Sequence, residues 1–273
     1  MSATMEVAAK PSLYWNKLAE RCERFLKQYG YKNFKRSVGL VYNDFYLDYD
    51  SGTIRPEYNQ KLLELWDALY ERIPTMFLDR FSEPEVGSPF AINYNGRLVS
   101  FDLASSCCET AMLFSHLDML KIKSIHEIGG GYGRLAYVLG QSVPKAIYRL
   151  YDIEPSIGLA MRYLTDVLPN RRGFYFHTPD ELKGPCDLLV AMDCLHEMTK
   201  DQVEAYFEYA DKNAGYFYFT CWKETAVPEH GISWKMDEYP VRPGWVPVFR
   251  GDHKMRTGFF EALYRINKPV EGA

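Results

Sequence analysis

The chain has 273 residues, 47% of them hydrophobic and 25% charged, with a formal net charge of −4. Those values exclude a disordered, collagen-like or low-complexity protein, and the length suits one large domain or one domain with an appendage. The acidic balance argues against nucleic acid as a partner, because neutralising phosphates takes a basic excess. The 21 Tyr, 16 Phe and 5 Trp are the compositional oddity, and they call for either a ring-filled core or ring-lined binding surfaces.

No apolar run reaches the ~20 residues of a membrane span, so no membrane partner is expected. The opening MSATMEVAAKPS carries Glu6 and Lys10 and lacks the apolar region of a secretory signal. Six scattered cysteines form no CxxC pair, which favours reduced thiols in a cytoplasmic protein over a structural zinc site.

In chain order, Leu18, Cys22, Phe25, Leu26 and Tyr29 lie at helical spacing, with Gly30 placed as a C-terminal cap. A second helix is expected through Tyr58, Leu62, Leu65, Trp66 and Leu69. FAINY-NG-RLVSF reads as a β-hairpin turning at Asn95-Gly96. Ser106-Cys107-Cys108-Glu109 has capping-box spacing and predicts a helix from there to about Leu120. Residues 1–121 thus read as an N-terminal helical cap with a hairpin.

From Lys123 the pattern changes to strand, glycine-rich turn and helix, repeated to the end of the chain. That alternation predicts an α/β fold over residues 122–273: a doubly wound, mostly parallel, seven-stranded Rossmann-like sheet. Charge runs such as Lys32-Asn33-Phe34-Lys35-Arg36 and Arg171-Arg172 read as solvated faces.

The chemistry centres on Glu127-Ile128-Gly129-Gly130-Gly131-Tyr132-Gly133-Arg134, where a strand passes into a helix. Glycines there allow a sharp turn and close approach of a ligand to the backbone. Gly131 to Ala136 satisfies GxGxxA, a dinucleotide fingerprint that is weak alone. Glu127 argues against it, since a pyrophosphate over the turn would meet a like charge. Asp152, ending the second strand, is placed to accept ribose hydroxyls, with Glu154 as the alternative acid.

Read with its acid, the turn resembles motif I of class I S-adenosylmethionine-dependent methyltransferases. EIGGGYGRLA, YDIEPS and CDLLVAMDCLHEMT together resemble the sugar O-methyltransferases of bacterial glycan and natural-product clusters. The resemblance implies S-adenosylmethionine as cofactor, with Glu127 at its amino-acid end and Asp152 at its ribose. It implies further contacts at Gly129, Gly131, Tyr132, Gly133 and Ile153, and at Asp180 near the adenine amino group. The acceptor it implies is a small molecule, a sugar or glycoside.

Methyl transfer to a hydroxyl needs alignment and removal of one proton. His196 is the candidate base, with Glu197 and Asp193 as helpers at the end of the fourth strand. The alternatives are a packed, hydrogen-bonded His196, or a divalent ion on Asp193, His196 and Glu197; no ligand spacing supports a metal, so none is assigned. The ring-rich segments NDFYLDYD and CWKETAVPEHGISWKMDEYPVRPGW either stack on an acceptor or pack the N-terminal helices onto the sheet. Rival functions are methylation of nitrogen or of a non-sugar molecule, an NAD-dependent oxidoreductase, and a non-catalytic partner subunit. A homo-oligomer is compatible with the sequence.

Overall fold

The computed structural model describes residues 10–36 and 56–266. The segment NDFYLDYD and the opening nine residues lie outside the described residues.

Helix α1 (Leu13–Tyr29) starts where the Ser12 side chain accepts the Trp15 amide, and it ends at Gly30, whose φ of 68° few other residues adopt. Helix α2 (Tyr58–Tyr70) and the short α3 (Thr75–Leu78) precede a hairpin of β1 (Ile92–Tyr94) and β2 (Arg97–Val99). Asn95 and Gly96 turn that hairpin at φ 51° and 81°, as expected for its two central positions.

Helix α4 (Phe101–His116) corrects the capping assignment. Its cap is Ser100, which accepts the Leu103 amide, and not Ser106. The Ser106 hydroxyl instead donates back to the Asp102 carbonyl from inside the helix, because the apolar run that needs burying begins at Phe101.

Then come β3 (Ser124–Ile128), α5 (Arg134–Ser142), β4 (Ile147–Tyr151), α6 (Ser156–Val167), β5 (Phe174–His177), β6 (Cys186–Met192), α7 (Lys200–Asn213) and β7 (Ala214–Trp222). A small hairpin, β8 (Glu224–Val227) with β9 (Ile232–Lys235), precedes β10 (Trp245–Asp252) and β11 (Phe259–Ile266). The main sheet has seven strands in the order β10-β11-β7-β6-β3-β4-β5. Strands β3 to β7 pair in parallel; β11 runs antiparallel to β7, and β10 antiparallel to β11. The strand order reverses between β3 and β6, and open α/β sheets bind ligands at that switch point.

The sheet is buried on both faces. On one, Tyr148, Leu150, Val190 and Leu263 join Trp66 of α2, Leu113 of α4, Leu139 of α5 and Leu164 of α6 in one core. On the other, Leu189, Phe217 and Phe260 meet Phe207 of α7 and Trp15 of α1. The N-terminal helices therefore form part of the layers over the sheet.

Two surface expectations are corrected. Lys35 is 1% exposed and pairs with Glu83, its ammonium lying over the Tyr132 and Tyr163 rings. Arg171 is half-buried and donates to the Gly140 and Ala146 carbonyls. The rings after β7 resolve into packing: Trp234 stacks on Tyr239 at 4.8 Å between centroids, and Trp245 lies 5.5 Å from Phe207 with planes 8° apart. The Trp234 indole N–H donates to the Met198 carbonyl at 2.8 Å.

Candidate active site

The glycine turn leaves the end of β3 and enters α5. Gly129, Gly131 and Gly133 have φ of 66°, 56° and 90°, the left-handed region that disfavours side chains. Gly129 is also constrained by contact, since a Cβ there would lie 2.5 Å from Cys194 Cβ. The Cys194 thiol donates to the Ile128 carbonyl at 3.3 Å, so the ends of β3 and β6 are fastened together at the switch point.

Asp152 follows β4 and is nearly buried. Its Oδ2 accepts the Gly131 amide and its Oδ1 the Ile153 amide, each at 2.7 Å. Burial outweighs these bonds and pushes the carboxyl up to about 7. Helix α1 lies close by: the Cys22 thiol hydrogen-bonds Ser156 and is pushed up to about 12 by burial and by the Asp152 charge.

Glu127 faces the layer formed by α4 and α5. It is buried, accepts the Tyr148 hydroxyl at 2.8 Å, and is raised to about 8 by desolvation. Arg134, the first residue of α5, is held by Glu109 of α4 through two bonds of 2.7 and 2.9 Å and also donates to Ser106. A narrow cleft of about 50 Å³ runs between Glu127, the turn, Arg134 and Met192. A wider cavity of about 900 Å³ opens between α1 and Glu154-Pro155 but has none of the turn's glycines in its lining. Two buried carboxylates, Glu127 in the lining of the narrow cleft and Asp152 outside it, flank a turn whose Gly131 Cα faces open space.

Tyr132 also lines that cleft. Its hydroxyl donates to Asp102, and its ring packs edge-on against Phe34 and Tyr163, so the residue anchors the turn in the core. Asp180 is exposed in a turn after β5, on the same sheet edge as Asp152. Ile153 is partly buried against the core on the α7 side of the sheet.

Beyond β6, Asp193 adopts φ 58° and accepts from Arg256 Nη1 at 2.8 Å. His196 Nε2 lies 3.6 Å from the other Asp193 oxygen, while His196 Nδ1 is buried with no hydrogen-bond partner among the described residues. Burial, reinforced by Arg256 and opposed by Asp193, pushes the imidazole down to about 4, so it is neutral at pH 7. Glu197 is half-buried in the same turn. Among the described residues no three His, Cys, Asp or Glu side chains converge as a metal site, and no helix is long and apolar enough to cross a membrane.

Sequence reasoning did not identify Arg256 as the partner of Asp193, Glu109 as the clamp on Arg134, or Glu261 on β11. Glu261 is buried and accepts the Tyr218 hydroxyl at 2.7 Å. A carboxylate inside the apolar strand FFEALYRI was the one available signal.

No protein-family profile and no curated protein matches this sequence. Solved structures do share the fold. Magnesium protoporphyrin IX methyltransferase from Synechocystis PCC 6803 with bound SAH is 16% identical, with a TM-score of 0.50 over 77% of this chain and 97% of that one. The mitomycin 7-O-methyltransferase MmcR is 12% identical, with a TM-score of 0.49 over 94% of this chain and 69% of that one. The central α/β sheet is accordingly that of a Rossmann-like fold.

Proposed function

We propose that this protein is an S-adenosylmethionine-dependent methyltransferase acting on a hydroxyl of a small molecule. The observation that carries the reading is the pair Glu127 and Asp152, two buried carboxylates on either side of a glycine turn at the switch point. This donor set fits the cofactor. A carboxylate raised to about 8 inside the protein gains most from a cation, and the cofactor's amino-acid end carries an ammonium. A pyrophosphate over the turn offers Glu127 no cation and meets its ionised form as a like charge, which disfavours the NAD-dependent reading.

When bound, the cofactor supplies an electrophilic methyl group on a sulfonium. Glu127 holds the ammonium end, and Asp152 accepts from the ribose while tying Gly131 in place. His196, neutral and with an Nδ1 that has no partner among the described residues, accepts the acceptor's proton, while Asp193 Oδ1 lies 3.6 Å from its other nitrogen. A sugar is the acceptor class that the sequence resemblance implies. The packed state of Trp234, Tyr239 and Trp245 removes those rings as a stacking platform for it.

Calorimetry tests the assignment. S-adenosylhomocysteine is expected to bind and NAD is not; binding of NAD alone would overturn it.

A further inference from the structure

A cavity of about 680 Å³ lies between α2, α4 and the β10–β11 connection, within the range of small-molecule sites. Leu65, Leu69, Phe77, Met112 and Phe249 give it apolar and aromatic walls. Among the described residues its lining contains Arg72, Lys254 and His116 and no acidic residue. Among the described residues neither Arg72 nor Lys254 has a carboxylate within ion-pair distance; the Lys254 ammonium lies over the Phe249 ring at 6.0 Å, and its charge also acts on the buried Glu261. An apolar chamber whose lining, among the described residues, carries two cations outside any ion pair matches an amphipathic anion.

The chamber is tied to the candidate active site through α4. Cys108 stands in its wall, while the next residue, Glu109, grips Arg134 directly after the glycine turn. Glu261 lies behind the Cys108–Lys254 wall but is not part of the lining. Tyr218 binds one of its oxygens, and the Lys254 amide also hydrogen-bonds the carboxylate. The Lys254 charge acts on that buried acid without an ion pair forming between them, and the Arg72 and Lys254 side chains are both exposed.

The geometry points to an acceptor with an apolar, aromatic skeleton and a carboxylate, its skeleton in this chamber and its carboxylate on Arg72 and Lys254. The inference rests on the methyltransferase reading for the word acceptor; the chamber's preference for an aromatic carboxylate stands apart from it. A bare sugar offers nothing to fill walls of this kind.

The probe pair is 2-naphthoate and its neutral counterpart 2-naphthalenemethanol, titrated calorimetrically into the full chain. The carboxylate is expected to bind about tenfold more tightly than the alcohol. Arg72→Gln combined with Lys254→Gln, both on exposed side chains, is expected to bring the two affinities together. Ala111→Phe, which narrows the chamber, is expected to weaken both. Equal affinities in the unaltered chain, a preference that survives the double substitution, or no binding of either compound would overturn the proposal. S-adenosylhomocysteine titrated into the same samples reports separately on the methyltransferase reading, since its site shares none of these three residues.

Discussion

The Gly131 amide donates to Asp152 Oδ2 at 2.7 Å, so the turn after β3 is pinned to the end of β4. One carboxylate thereby shapes the backbone that a ligand must approach, while remaining a candidate to accept from that ligand. Geometry and binding are carried by the same side chain.

Replacing Asp152 by alanine removes both roles. S-adenosylhomocysteine affinity should fall by about tenfold to a hundredfold. Asp152→Asn, which keeps one acceptor oxygen, should fall between that variant and the native protein. Calorimetry on both checks the order, and an unchanged affinity in the alanine variant would remove Asp152 from the site.

Glu127 sets a pH dependence. Its folded value of about 8 lies above the ordinary 4.5, so it favours folding most below pH 4.5 and loses that contribution as pH rises through 8. Asp152 and Glu261, both raised to about 7, act in the same direction. His126 and His196, lowered to about 4, and His253, lowered to about 3, act oppositely, but only below pH 6.5. The melting temperature of the free protein should therefore fall between pH 6.5 and 8, with the two sets offsetting each other below that window. Glu127→Gln should flatten the fall and weaken S-adenosylhomocysteine binding by about tenfold or more. A steeper fall in that variant would refute the account.

His196→Ala should lower kcat by about a hundredfold or more on a competent acceptor while sparing cofactor affinity. Asp193→Asn keeps a residue that tolerates the left-handed backbone but removes the carboxylate charge that faces the buried Arg256. It should cost about 3 kcal/mol of stability by denaturant titration. Full turnover in His196→Ala would reassign the histidine to packing.

Glu109→Gln leaves Arg134 buried with its two-bond clamp broken, which should destabilise the fold by about 3–5 kcal/mol. Replacing the pair together, Glu109→Gln with Arg134→Met, should recover part of that loss. Urea titration of Glu109→Gln, of Arg134→Met and of the pair together checks the sign of the coupling.

The parts of the fold visible in the sequence were those written in local periods: the helical spacing from Leu18 to Tyr29, the Asn95-Gly96 turn, and the glycines after Glu127. What stayed hidden depends on pairs far apart in the chain. Lys35 looks like one member of a charge run until Glu83, 48 residues later, buries with it. Asp193 and Arg256 are 63 residues apart, and no local pattern links them. At α4 the capping-box spacing points to Ser106, and the burial of Phe101 to Leu103, which no local spacing marks, sets the cap at Ser100. The aromatic surplus went mostly into ring-on-ring packing beneath and beside the sheet, where period and composition cannot separate a core from a binding wall.

Cys22 turns α1 into its own reporter. The thiol is shielded beside Asp152 and held far from the thiolate form, so an alkylating reagent reaches it only when the helix lifts. Because all six cysteines are buried, the labelling background is low. The labelling rate at Cys22 would then time the opening of the protein beside Asp152. A ligand that bridges α1 and Asp152 would slow that clock without any change in the chemistry it catalyses.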